Sequence, residues 1–166
     1  MNILSRILGV VPPEEQKGIH LETWPRWKAQ PVRDVALFLQ ALSVLAPSSS
    51  VLYLEDGRVP PRIRTYLEER AAKDTFKVQL GTIWPRPSQF HMTATKDNLL
   101  GLAELAEYCA APEIAIHVHV YVGGKILLEW YDAFDDPIYI SNEVPEHQVQ
   151  AFCNELGVTY EQVSGA

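Results

Sequence analysis

EIAIHVHVYVGGKILLEWYDAFDDPIYIS, residues 113–141, is the stretch on which the reading of this chain turns. Two apolar runs flank the pair Gly123-Gly124. A two-residue type I′ loop needs positive φ at both central positions, which glycine adopts without steric cost. The flanking runs are rich in Ile, Val, Tyr and Trp, side chains that suit a pleated surface. The stretch therefore reads as a long antiparallel hairpin, 114–122 paired with 125–131. With the glycines as the loop, His119 faces Leu128, His117 faces Trp130 and Tyr121 faces Ile126 on one side of the ribbon. Ile116, Val118, Val120, Val122, Leu127 and Tyr131 take the other side, with Lys125 and Glu129 among them. The aliphatic row is expected against the core, with Val118 and Val120 almost wholly buried. The histidine side is apolar enough to be covered too, which places the hairpin centrally in its sheet.

His117 and His119 occupy alternate strand positions, so both imidazoles share a face at a spacing that metal sites use. Two ligands do not complete a site, and Asp132, or the more distant His91, would have to supply a third. One reading is thus a small metal-dependent hydrolase or metal-binding protein, with zinc or another divalent ion on His117, His119 and Asp132. The other, preferred here, is that both rings pack against neighbours and need no cofactor. Past the second strand, Asp132, Asp135 and Asp136 are interleaved with Trp130, Tyr131, Phe134 and Tyr139. Trp130, Asp132, Phe134, Asp135 and Asp136 are the candidate interaction residues. Aromatic anchors rimmed by carboxylates suit a basic protein partner. The competing reading is a turn with capping aspartates and aromatics in the core.

Charge distribution separates the chain into parts. Residues 58–86 hold 7 basic and 3 acidic side chains, whereas residues 87–166 hold 2 basic and 12 acidic ones. Such an acidic half disfavours general binding to nucleic-acid phosphates and favours approach by a basic protein. At 166 residues and 47% apolar content the chain suits one domain with a sizeable core. No apolar run is long enough to span a membrane. Residues 1–11 read as a short amphipathic helix and not as a secretory signal. Cys109 and Cys153 sit on apolar helix stripes as free thiols, which fits a reducing, cytoplasmic setting.

Residues 1–30 look irregular and are expected to wrap the domain, with Trp24 and Trp27 near Arg26 and Lys28. Pro31 opens a helix to Leu45, and Val51–Leu54 is a buried strand. Asp56-Gly57 turns the chain into a helix from the Pro60-Pro61 pair to Arg70. That helix, with Arg58 just before it, carries Arg62, Arg64 and Arg70 on a solvated face. There is no Gly-rich phosphate loop beside them. Phe76, Val78 and Leu80 alternate with polar residues as a strand, and Phe90–Thr93 extends again. Thr95 caps a helix over 96–110, Pro145 opens another that ends at Gly157, and 158–163 forms a last strand.

The pattern predicts a single α+β, or mixed α/β, domain over residues 1–166. It would have a mixed sheet, a central hairpin and about four helices packed on it. No nucleophile–base order, Walker loop or dinucleotide fingerprint is present. The expected function is non-enzymatic protein binding, of inhibitor, immunity or adaptor type.

Overall fold

The structure, a computed structural model, describes residues 9–21, 24–56 and 58–165. Two expectations, the helix over residues 1–11 and the Asp56-Gly57 turn, fall largely or partly outside the described residues. The described elements are α1 (Pro13–Gln16), β1 (Arg26–Ala29), α2 (Val35–Leu45), β2 (Val51–Asp56), α3 (Pro61–Glu69), β3 (Ser88–Thr93), α4 (Lys96–Ala106) and α5 (Ala111–Ile114). They continue with β4 (His117–Val122), β5 (Lys125–Trp130), β6 (Ile138–Ser141), α6 (Glu146–Leu156) and β7 (Tyr160–Val163). This is an α+β fold with four long helices. All seven strands join one sheet in the order β3-β2-β4-β5-β6-β1-β7.

Every pairing between these strands is antiparallel, which corrects the mixed sheet expected from strands alternating with helices. The crossovers explain the difference. Helix α4 joins β3 to β4, and these two strands do run in the same direction, but β2 lies between them. Likewise α6 joins β6 to β7 across β1. These two crossovers link parallel strands with one antiparallel strand filling each gap, whereas α3 connects the antiparallel neighbours β2 and β3.

The same feature corrects the N-terminal reading. Residues 26–29 are not irregular: β1 is inserted between β6 and β7, and pairs with both. Around it, α2 packs between α4 and α6, with α3 beyond α4, so the four long helices form one layer on one sheet face. Helix α2 begins at Val35, not Pro31, because the Asp34 side chain accepts the Leu37 N–H and so acts as N-cap. Thr95 caps α4 as expected, and Gly157 ends α6 at φ 67°.

The glycine pair forms the tip, at φ 53° and 81°, which satisfies a type I′ turn. From it the pairing starts in the expected register, Val122↔Lys125 and Tyr121↔Ile126. It then shifts, giving Val120↔Leu128, His119↔Glu129 and Val118↔Trp130. Leu127 is the extra residue, a β-bulge that turns both Leu127 and Leu128 toward the helices. The expected opposition of His119 with Leu128 and His117 with Trp130 is therefore wrong. Past the bulge every β5 side chain changes face. Trp130 joins Val118 and Val120 in the core, while Glu129 moves to the histidine side. Val118 and Val120 are 1% and 0% exposed, as the aliphatic row required. Each such side chain contributes roughly 1.5–3 kcal/mol through burial.

The other sheet face is covered by chain without regular structure. Residues 17–21 and 71–87 lie over it as two straps, joined by an isolated bridge between Ile19 and Val78. The strand expected at 76–80 is this second strap. Its backbone bonds go to Ile19 and Gln16, and its side chains pack down on Tyr121, Tyr53 and Ile126. Alternation of apolar residues reported correctly that Val78 and Leu80 are buried, but not that Phe76 is 44% exposed or that the segment stays out of the sheet.

Candidate functional site

Beneath the straps the sheet carries polar side chains where a core would be apolar. β2 supplies Tyr53 and Glu55, β3 His91, β4 His117, His119 and Tyr121, and β5 Glu129, with Tyr131 just beyond it. Period-two geometry makes these residues neighbours on one face. Glu55 is fully buried and accepts the Gly81 N–H at 3.1 Å, the Thr82 N–H at 2.5 Å and the Tyr53 hydroxyl at 3.1 Å. Glu129 accepts the Leu21 N–H at 2.9 Å. Tyr121 accepts the Phe76 N–H at 3.2 Å, and its hydroxyl is hydrogen-bonded with His91 Nδ1 at 2.9 Å. Sheet side chains thus satisfy backbone donors in both straps, which have no ladder of their own.

His117 is engaged at both nitrogens. Its Nδ1 accepts the Asp132 N–H at 3.0 Å. A ring nitrogen that accepts carries no proton, so the neutral imidazole holds its proton on Nε2 and donates it to Thr82 Oγ1 at 3.1 Å. Burial pushes its pKa down, against the opposing pull of Glu55, whose Oε1 lies 3.9 Å from Nε2, and of Asp132. His119 is fully buried, with neither nitrogen hydrogen-bonded to a protein group and Nε2 3.9 Å from Glu129 Oε2. Burial, and then neighbouring His117, push its pKa down to about 3, while burial pushes Glu129 up.

The proposed ligand trio meets only in part. The structure brings Asp132 to His117 through its backbone N–H, while the Asp132 side chain belongs to an exposed residue. Among the described residues, no group of three or more His, Cys, Asp or Glu side chains is placed to hold a metal ion.

The interaction residues divide cleanly. Trp130 and Phe134 are 0% and 5% exposed and stack with Phe38 in the helix-side core, so neither presents a surface anchor, contrary to expectation. Asp132, Asp135 and Asp136 are exposed. The loop that carries them is held from inside. Trp130 Nε1 donates to the Asp136 carbonyl, the Ala133 N–H to the Ile116 carbonyl, and the Asp135 and Asp136 N–H groups to the Asp132 carbonyl. Asp132 and Phe134 stand at φ 44° and 79°, left-handed backbone that side-chain-bearing residues adopt only when their surroundings enforce it. Arg33, next to the α2 cap, lies 3.7 Å from Asp135, and a groove between α2 and α4 adds Asp34, Glu104 and Glu107.

Sequence reasoning missed Glu55, Glu129 and Thr82 as a group. A signal existed for the two carboxylates, each following a run of apolar residues, VLYLE and ILLEW. Nothing marked Thr82, whose partners are 27 and 35 residues away. No protein-family model matches this chain, and comparisons with curated proteins and with solved structures also return no match.

Proposed function

We propose that this protein is a non-enzymatic binding protein, of inhibitor, immunity or adaptor type, that docks a basic protein on the 132–136 loop. The observation that carries this reading is the loop's construction: its aromatics are spent inside, its backbone is held in a left-handed shape, and its three carboxylates face solvent. Backbone held in sparsely populated regions is concentrated at ligand clamps and contact sites. A loop held in advance loses little further freedom when a partner binds. Of the 12 acidic side chains in residues 87–166, the Glu129 carboxylate is buried and the others belong to exposed residues. Such a field speeds the approach of a cationic surface and disfavours nucleic acid. Under the straps, His117 and Glu129, whose pKa values are displaced, bond to Thr82 and to backbone N–H groups, a structural role that calls for no turnover. Two free thiols, at Cys109 and Cys153, accord with a reducing, cytoplasmic setting.

The test is capture from the native cell with wild type and with an Asp132→Asn, Asp135→Asn, Asp136→Asn triple variant, at low and moderate salt. The expected result is a basic protein held by the wild type, weakened by salt and lost by the triple variant. Equal recovery by both proteins, or no specific protein with either, would overturn the reading.

A further inference from the structure

The docking loop and the second strap touch the same imidazole from opposite sides. Asp132 N–H occupies Nδ1, and Thr82 Oγ1 occupies the proton on Nε2. A neutral imidazole has one proton to place, and its position decides which nitrogen can accept. If Thr82 did not receive the Nε2 proton, the ring could carry it on Nδ1, where it would confront the Asp132 N–H donor at 3.0 Å. We infer that Thr82 is a positioning residue for the acidic loop, acting through the tautomer of His117. This rests on the reading of the 132–136 loop as the docking surface, and it names how that surface is kept in shape from a position 50 residues earlier in the chain.

Three further observations hold the relay in place. Thr82 is itself fixed by its N–H bond to buried Glu55, so its hydroxyl is delivered to Nε2 and does not wander. The Gly81 backbone lies so close to the ring that a Cβ there would stand 2.4 Å from Cδ2, and Tyr131 packs edge-on at 5.4 Å, so the ring is confined by neighbours on both elements. At the far end, the Asp132 N–H belongs to one of the two left-handed residues that give the loop its form.

The decisive experiment uses the full-length protein and a double-mutant cycle between residues 82 and 117. In Thr82→Val the Nε2 acceptor is gone while the backbone bond to Glu55 stays. Ring nitrogen shifts of His117 are expected to move from a pure Nε2–H form toward the Nδ1–H form. The Asp132 and Ala133 amide resonances should move with them, and exchange at the Asp132 amide should quicken by about tenfold. Thr82→Ser should restore all three. His117→Asn keeps an acceptor oxygen near the place of Nδ1 and has no tautomer, so in that background Thr82→Val should leave the loop amides untouched. An effect of Thr82→Val on the loop that persists in the His117→Asn background would show a general packing role and overturn the relay. An Nδ1–H tautomer in the wild type would do the same without any variant, and so covers the case in which a variant does not fold. Affinity for the captured basic partner is read separately. A loop that responds while affinity stays constant upholds the relay and removes the docking role, so the two failures are distinguishable.

Discussion

Glu55→Ala removes the acceptor that ties the second strap to the sheet, and its effect can be worked out from the bonds it breaks. The carboxylate is fully buried and takes three donors: Gly81 N–H, Thr82 N–H and the Tyr53 hydroxyl. Alanine leaves all three without that acceptor, the Tyr53 hydroxyl fully buried and the two strap amides at the margin of the site. An orphaned buried donor costs about 1–3 kcal/mol, and bonds to a charged acceptor lie toward the upper end. Local opening of the strap would rehydrate the two amides and relieve part of this, so the expected loss is about 4 kcal/mol, a large share of the ~5–15 kcal/mol that holds a domain together. For a chain of this size that corresponds to a fall of roughly 8–16 °C in Tm. Urea titration gives the stability change, and amide exchange shows where it arises. Gly81 and Thr82 should lose protection first, ahead of β4 and β5. Glu55→Gln retains one acceptor oxygen and should cost about half as much. A Glu55→Ala protein with an unchanged urea midpoint would refute the claim that buried side-chain acceptors pin the straps.

Three other outcomes are expected. Val118→Asp puts a carboxylate into the helix-side core at a site 1% exposed and should cost several times what a surface change does, about 4 kcal/mol or more, read as loss of Tm; an unchanged Tm would mean the wrong face lies inward. Gly81→Ala places a Cβ 2.4 Å from the His117 ring and should cost about 1–3 kcal/mol, with a displaced His117 ring resonance, whereas an undisturbed ring would contradict the packing. For pH, the folded-state pKa of His119 is pushed down to about 3, so its contribution is complete above the unfolded value of about 6.5 and is lost as pH falls toward 3, by up to about 1.4 kcal/mol per unit. His91 and His117, also lowered by burial, act in the same sense. Glu129, raised by burial, acts oppositely, its contribution being lost as pH rises through its folded pKa. The urea midpoint should therefore drop between about pH 6.5 and 5, and a rise over that interval would count against the buried neutral imidazoles.

The α+β class, the hairpin with its glycine tip, the inward aliphatic row and the four long helices were legible in the sequence. All rest on short-range chemistry: positive φ at two glycines, two- and 3.6-residue periodicity, and caps such as Thr95 and Gly157. The caps illustrate the limit as well. Pro31 signals a helix start in the sequence, whereas the Asp34 side chain, bonded to the Leu37 N–H, is the cap that acts.

What the tertiary structure alone decided concerns residues whose roles depend on distant partners. The bulge at Leu127 carried Glu129 to the histidine face and Trp130 into the core, because register is set by what both faces must bury and not by the turn alone. β1 became a strand because two other strands flank it, and 76–80 did not, because it lies across the sheet face. The acidic loop was read correctly as acidic and aromatic, but which side chains point outward was settled by where Phe38 and the helices stand. His117 and His119, two residues apart on one face, differ for the same reason. A strap and a loop from elsewhere in the chain occupy both nitrogens of His117, and no protein group bonds to those of His119.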